Sequence, residues 1–289
     1  MTVILQHIKE KAAYYKAHPS SLLLRFLTLF SAFVTAAVLI SIISYILIKG
    51  IPNLTPSLFA WEYNSDNLSM MPAIVNTIVM TFLTVLIAVP IGVGSAIYLV
   101  EYALRGNKLV KIIRLTTETL SGIPSIVYGL FGYLMFKEFF KWGYSMMGGI
   151  LTLSIMILPL IIRTTEEALK SVPDSYREGS FGLGAGKLRT VFKIILPSAI
   201  PGILSGVILA IGRITGETAA LIYSAGTVAG LPEDLFSSGR TLAIHMYVLS
   251  NEGLYVNQAY ATAVVLLIVV ILLNALSSFI GKKVGKKNG

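Results

Sequence analysis

Apolar residues run in long blocks along this chain, and the charged residues fall almost entirely between the blocks. A helix that crosses a bilayer needs about 20 largely apolar residues. That length predicts six spans: Leu22–Ile48, Ala73–Val100, Leu115–Phe136, Met147–Ile162, Ser198–Ala225 and Ala259–Ile280, the fourth being the shortest. The first is too long for the apolar core of a signal peptide and lacks a small-residue cleavage site, which predicts a retained anchor. The expected fold class is an all-α integral membrane protein, with one six-helix domain over residues 22–281. Residues 1–21 and 282–289 are read as polar tails, and Ile8–Lys16 fits an interfacial helix or a solvated segment equally well.

Six spans place both termini on one side. Of the 23 Lys and Arg residues, only Lys49, Lys137, Lys141 and Arg240 fall on the opposite side, and Arg213 lies within a span. Basic residues concentrate on the cytoplasmic side of membrane proteins, so both termini are expected there. The net charge of +9 therefore reflects topology and does not call for a nucleic-acid partner. Composition agrees: 55% of residues are apolar and 13% charged, against roughly 25% charged in soluble domains, and the mean hydropathy is +0.78. The chain has no cysteine, which excludes disulfides, thiolate metal sites and a cysteine nucleophile. His7, His18 and His245 lie far apart in sequence, so no metal or cofactor is expected.

Several spans carry internal marks. The second contains Pro90-Ile91-Gly92-Val93-Gly94 and ends in Tyr98-Leu99-Val100-Glu101-Tyr102, a predicted interface belt. The third repeats Glu118, Gly122, Ser125, Gly129 and Gly132 at helical spacing, with a kink expected at Pro124. Such a stripe lets another helix approach closely. The outer connection Gly226–Gln258 is long, and Thr241–Leu249 is expected to lie flat at the outer surface. Loops of that length in a compact bundle are usually functional. His245 within it reads as a satisfied or solvated histidine rather than a ligand.

The longest cytoplasmic connection is Thr164–Pro197. Thr164-Thr165-Glu166-Glu167 has the form of a helix N-terminus, with threonine as cap and acids in the first turn. A second helix is expected to start near Asp174, with Asp174 or Ser175 as its cap, and to be ended by Gly182, Gly184 and Gly186. A short helix closed by a glycine turn makes a protruding knob for another protein's groove. The fifth span then repeats Gly202, Gly206, Ala210, Arg213, Glu217, Ala220 and Ser224 at intervals of three or four, which predicts one small-residue face carrying a cation and an anion one turn apart. A charge at bilayer depth costs about 2.5–3.5 kcal/mol on insertion scales and persists where it faces a bundle interior or a water-filled path. Two readings of the pair stand: mutual neutralisation, or an arginine fork that meets an oxyanion while Glu217 orients it and moderates its grip.

Glu178, Gly184, Ile194, Leu196 and Pro197 match the spacing Glu-x5-Gly-x9-Ile-x-Leu-Pro, which resembles the EAA loop of ABC importer permeases. Gly179 and Ser180 stand where that loop has two alanines. Both are small, although the glycine lowers helix propensity by roughly 1 kcal/mol. The tract Gly212–Ala220, the segment Leu120–Gly132 and the outer piece Thr241–Leu249 resemble phosphate ABC transporter permeases, nearer the PstA type than the PstC type.

The resemblance implies a type I importer fold, with Glu178–Pro197 docking the ATPase and functional arginines at Arg163 and Arg213. Arg163 is the weaker of the two, since topology alone predicts a basic residue at a cytoplasmic helix end. The implied partners are a second, PstC-like permease, two PstB-like ATP-binding subunits, a PstS-like extracytoplasmic phosphate-binding protein, phosphate, and lipid of the inner or plasma membrane. The chain has no Gly-x4-Gly-Lys-Ser/Thr phosphate loop, so it is not expected to be an enzyme. Permeases for sulfate or molybdate, an ATPase-independent channel or secondary transporter, and a signalling subunit remain as alternatives.

Overall fold

The computed structural model describes residues 19–104 and 106–287. The reading of Ile8–Lys16 lies outside the described residues, as do Arg105 of the charge count and positions 288–289. The chain divides into two units, Met1–Lys49 and Gly50–Gly289. The first unit contributes nearly all of one long helix, α1 (Pro19–Gly50), which is apolar on every side as a helix in lipid should be.

In the second unit follow α2 (Met71–Ile97), α3 (Lys108–Ser121), α4 (Ser125–Gly132), α5 (Met146–Lys170), α6 (Asp174–Gly182), α7 (Lys187–Thr190), α8 (Leu196–Thr215), α9 (Ala219–Ser224), α10 (Leu242–Asn251) and α11 (Val256–Lys287). No strand occurs among the described residues. Five helical stretches are long and apolar enough to cross a membrane, and six if α3 with α4 and its extension counts as one broken span.

Small residues set the packing. A Cβ at Gly92 of α2 would stand 2.6 Å from Ile161 Cγ2 of α5. On α8, Gly202 faces Ala168 and Gly206 faces the Thr164 hydroxyl, so the small stripe of the fifth span is its contact with α5. Gly129 of α4 lies against Ala220 of α9, with a Cβ there 2.9 Å from the Ala220 Cα, and Gly132 lies against Thr152 and Ser224. The small stripe of the third span thus serves close approach. Several buried hydroxyls are satisfied inside their own helices: Thr152 donates to Gly148 O, Thr215 to Ile211 O and Ser224 to Ala220 O, whereas the buried hydroxyls of Thr81, Thr84 and Thr165 have no hydrogen-bond partner among the described residues.

Gly206→Val is therefore expected to lose about 1–3 kcal/mol through overpacking against Thr164, whereas Gly94→Ala, with nothing within 4 Å of the added Cβ, is expected to be silent. Thermal unfolding of the two purified variants measures the difference.

Three expectations are corrected. The third span, Leu115–Phe136, is not one kinked helix: the stretch Lys108–Ser121 meets Ser125–Phe139 at 102° across Gly122–Pro124. The amphipathic α3 is a separate element, and Pro124 opens α4 because its missing N–H costs nothing there. Thr164 does not cap a new helix. α5 runs unbroken through it, with Thr164 Oγ1 donating back to Leu160 O at 2.9 Å. The acids after it face cations along and across the helix: Glu166 meets Lys170 at 2.7 Å and Arg114 of α3 at 3.2 Å. The fifth span begins at Lys187 rather than Ser198, and its helix stops at Thr215.

Candidate functional site

The break in the fifth span decides what Arg213 and Glu217 can do. Residues Gly216-Glu217-Thr218 are not helical, so the expected cation and anion one turn apart on a continuous helix do not exist. Glu217 Oε1 instead accepts from the Ala220 amide at 3.1 Å. A carboxylate on a free N-terminal amide stabilises the short helix α9 through hydrogen bonding and the local dipole. Among the described residues, Arg213 makes no hydrogen bond or ion pair, with Glu217 or any other group. Mutual neutralisation is not the arrangement found.

The Arg213 side chain is exposed and lines a groove of about 570 Å³ with Leu160 of α5, Ser205, Ile208, Leu209 and Gly212 of α8, and Asn274 of α11. The Asn274 Oδ1 is buried without a partner. Ser205 already donates to Pro201 O at 2.9 Å. Arg213 also acts electrostatically on Tyr128 of α4. The groove therefore offers a fork of guanidinium donors on apolar walls, suited to a small oxyanion, while the orphaned Asn274 oxygen is an acceptor that needs a donor. Sequence reasoning missed Asn274, although a lone amide inside the apolar run 263–276 was a visible signal.

Arg163 is not part of this groove. Its Nε meets Glu167 Oε1 at 3.1 Å, and it lines a separate cleft of about 170 Å³ with Arg114, Glu118 and Lys170. The structure does not bring the two arginines into one cavity.

The cytoplasmic knob is α6 and the turn after it. Glu178 and Gly179 are exposed, as are Tyr176 and Phe181, and Leu183 is 91% exposed. Ser180 is buried, its hydroxyl 2.8 Å from that of Thr190. Asp174 is the first residue of α6 rather than its cap, and Pro173 precedes it. Gly184 takes φ +79 and closes the helix. Beyond it, Ile195 is fully buried and Ile194 and Leu196 pack around it, against Ala96, Leu169 and Val172. A π-type turn at Val191–Ile195 lies just before Pro197, whose ring bars the ordinary helical bond. Helix runs on through this proline, joining knob to groove.

On the outer side, the long connection is a packed lid rather than a flat surface piece. α10 buries Leu242, Ile244, His245 and Leu249, and the Leu242 amide donates to Thr77 Oγ1 of α2 at 2.8 Å. Arg240 is 4% exposed, lies over the Tyr63 ring at 4.7 Å, and has Nε and Nη2 unpaired. His245 is fully buried with neither ring nitrogen hydrogen-bonded, and Tyr63 meets it edge-on. Burial, then the charge of Arg240, pushes its pKa down to about 3. The nearby Leu68 backbone offsets a little of this without forming a true hydrogen bond.

The unfolded imidazole titrates at its ordinary 6.5 while the folded one stays neutral, so stability is lost as pH falls from about 6.5 toward about 3. One differential proton is worth ~1.4 kcal/mol per pH unit. His245→Phe is expected to flatten that slope in thermal unfolding across the acid range.

Residues 88–288 match the family described as binding-protein-dependent transport system inner membrane component. The chain belongs to this family. The probable ABC transporter permease protein YqgI of Bacillus subtilis is 36% identical over 279 residues, covering 89% of this chain and 93% of that protein. The phosphate transport system permease protein PstA 2 of Mycobacterium bovis is 39% identical over 178 residues, 62% of this chain and 58% of that protein. PstA 1 of Mycobacterium tuberculosis is 33% identical, covering 72% of this chain and 69% of its own length.

Among solved structures, the permease is similar to a chain of the inward-facing MetNI methionine ABC transporter, with a TM-score of 0.53 at 19% identity, covering 86% of this chain and 98% of that one. It is also similar to a chain of the bacterial alginate ABC transporter bound to its periplasmic protein, with a TM-score of 0.60 at 15% identity, covering 89% and 96%. Those likenesses establish the fold, that of type I ABC importer permeases. The permease is a multi-pass membrane protein of a binding-protein-dependent transport system.

Proposed function

We propose that this permease is one half of the membrane path of an ATP-driven phosphate importer. In this reading a PstC-like permease closes the groove, two PstB-like subunits hydrolyse ATP, one of them docked on α6, and a PstS-like protein delivers phosphate from outside. The observation that carries it is Arg213, a cation within an apolar span that the chain itself leaves unpaired. A cation so placed needs an anion or water to be tolerated. Irregular backbone inside an apolar run, as at Gly122–Pro124 and Gly216–Thr218, is likewise tolerated only where protein buries it or a water-filled cavity meets it. Relatives named for phosphate transport support the choice of oxyanion. Arg163, with its charge offset by Glu167, serves as a second basic station near the cytoplasmic exit.

The test is ATP-dependent uptake of labelled phosphate by the reconstituted complex, with arsenate, sulfate and molybdate as competitors. Competition by arsenate alone is expected. Stronger competition by sulfate or molybdate would reassign the substrate, and uptake without ATP would remove the importer reading.

A further inference from the structure

The coupling helix α6 is held to the body of the permease in an unusual way. Of its residues only Ser180 is buried, so it has no apolar face to anchor it. What crosses from α6 to its surroundings is chiefly Arg177. Its Nη2 donates to Glu101 Oε1 at 2.6 Å and to Leu169 O at 3.1 Å. Its Nε donates to Glu101 Oε1 at 3.2 Å and Oε2 at 3.4 Å. Its Nη1 donates to Val172 O at 3.0 Å and to Asp174 Oδ1 at 3.1 Å. Both side chains are enclosed, Arg177 at 16% exposure and Glu101 at 8%.

Each contact belongs to a different part of the fold. Glu101 sits in the π-type turn Tyr98–Tyr102 that ends α2. Leu169 belongs to the last turn of α5 and Val172 follows it, where helix carbonyls lack helical donors and a cation is favoured. Asp174 opens α6 itself. One guanidinium therefore ties together the end of α2, the end of α5 and the start of α6. A buried ion pair is seldom the most stabilising filling for such a place; its attested use is to fix one arrangement among several. The Glu101 hydrogen bond raises the Arg177 pKa above its already high ordinary value, so the guanidinium stays charged at any working pH.

We infer that Arg177 and Glu101 are positioning residues of coupling: they latch the coupling helix to α2, so that a displacement of α6 by the ATPase moves the second span as well as the fifth. The continuous helix from Lys187 to Thr215 gives α6 a covalent route to Arg213. The latch gives it a second route, to the span whose other end carries Asn76 and Thr77 beneath the outer lid. The inference rests on the ATPase-docking role proposed for α6.

The test uses the whole transporter, with partner permease, ATPase and binding protein, in vesicles. Glu101→Gln keeps the side chain's size and loses its charge, and Arg177→Lys keeps the charge and loses the planar fork. Both are expected to assemble normally yet to spend about tenfold more ATP per phosphate moved, within the usual range of site-to-site coupling. An unchanged ATP-to-phosphate ratio in both assembled variants would overturn the latch.

A second arm removes folding from the comparison. The chain has no cysteine of its own, so Glu101→Cys with Arg177→Cys can be joined by a reducible bis-thiosulfonate linker in a single preparation. Tight coupling when linked and loose coupling after reduction is expected; equal ratios in the two states would overturn the proposal. Glu178→Arg, run in parallel, separates the two readings. If it fails to release the ATPase, the docking role fails. If it releases the ATPase while the latch variants stay coupled, only the latch fails.

Discussion

Arg213→Gln is expected to abolish phosphate uptake while the transporter still assembles. The variant removes no contact that the fold depends on, because Arg213 has no hydrogen bond or ion pair to lose among the described residues. It also removes the insertion cost of a charge in an apolar span, so the amount of membrane-inserted protein should hold or rise. What it takes away is the fork that would meet an anion. Hydrogen bonds to charged groups are worth about 1.5–3 kcal/mol each, so two of them amount to about a hundredfold or more in affinity for the passing ion. Arg213→Lys keeps a point charge and loses the planar geometry, and should fall between the two, about tenfold down. Asn274→Leu removes the groove's amide N–H donors, and should lower uptake more mildly. Rates from labelled uptake at saturating binding protein check all three. Full uptake by the Arg213→Gln transporter would show that the groove does not carry the anion.

Much of this fold was legible from the length of its apolar runs. α1, α2, α5 and α11 lie where a twenty-residue rule puts them, because in lipid nothing but a helix satisfies the backbone. The broken spans were not legible. Pro124 and Glu217, next to Gly216, read as tolerable marks within apolar runs, and only the structure shows that helix is interrupted at both. Glu217 misled for a related reason: spacing placed it beside Arg213, but a carboxylate can leave a helix to cap the next one, and periodicity is blind to that. Thr164-Thr165-Glu166-Glu167 looked like a helix start because capping chemistry and i,i+4 ion pairing draw on the same residues. The exposed short helix closed by a glycine turn was visible in the stretch from Asp174 to Gly186. The latch that holds it was not, since Glu101 and Arg177 are 76 residues apart and each alone passes for an ordinary charge at a membrane edge.

The second large effect concerns the knob's shape rather than its charge. Gly184→Val should strip the ATPase from the permease, and Gly184→Asn should not. At φ +79 an L residue pays about 1–2 kcal/mol, more when it is branched at Cβ, whereas asparagine visits this region readily. Space is not the issue, because nothing lies within 4 Å of a Cβ added there. Valine would therefore drive the turn into another backbone conformation, breaking the bonds from Gly184 N to Phe181 O and from Ala185 N to Ser180 O that close α6. Phe181 and Leu183, the exposed apolar tip proposed to meet the ATPase, would lose their setting. Glu178→Arg attacks the same contact from the charge side. Glu178 is exposed and pairs with no described residue, so its reversal leaves the permease fold alone. A like-charge clash in an interface costs several kcal/mol, which is more than tenfold in the ATPase retained. Co-purification of the ATPase with the detergent-solubilised permease reads both effects. Retention by Gly184→Val and Glu178→Arg alike would mean that the motor grips this permease elsewhere, and the continuous helix from Lys187 to Arg213 would then have nothing to transmit.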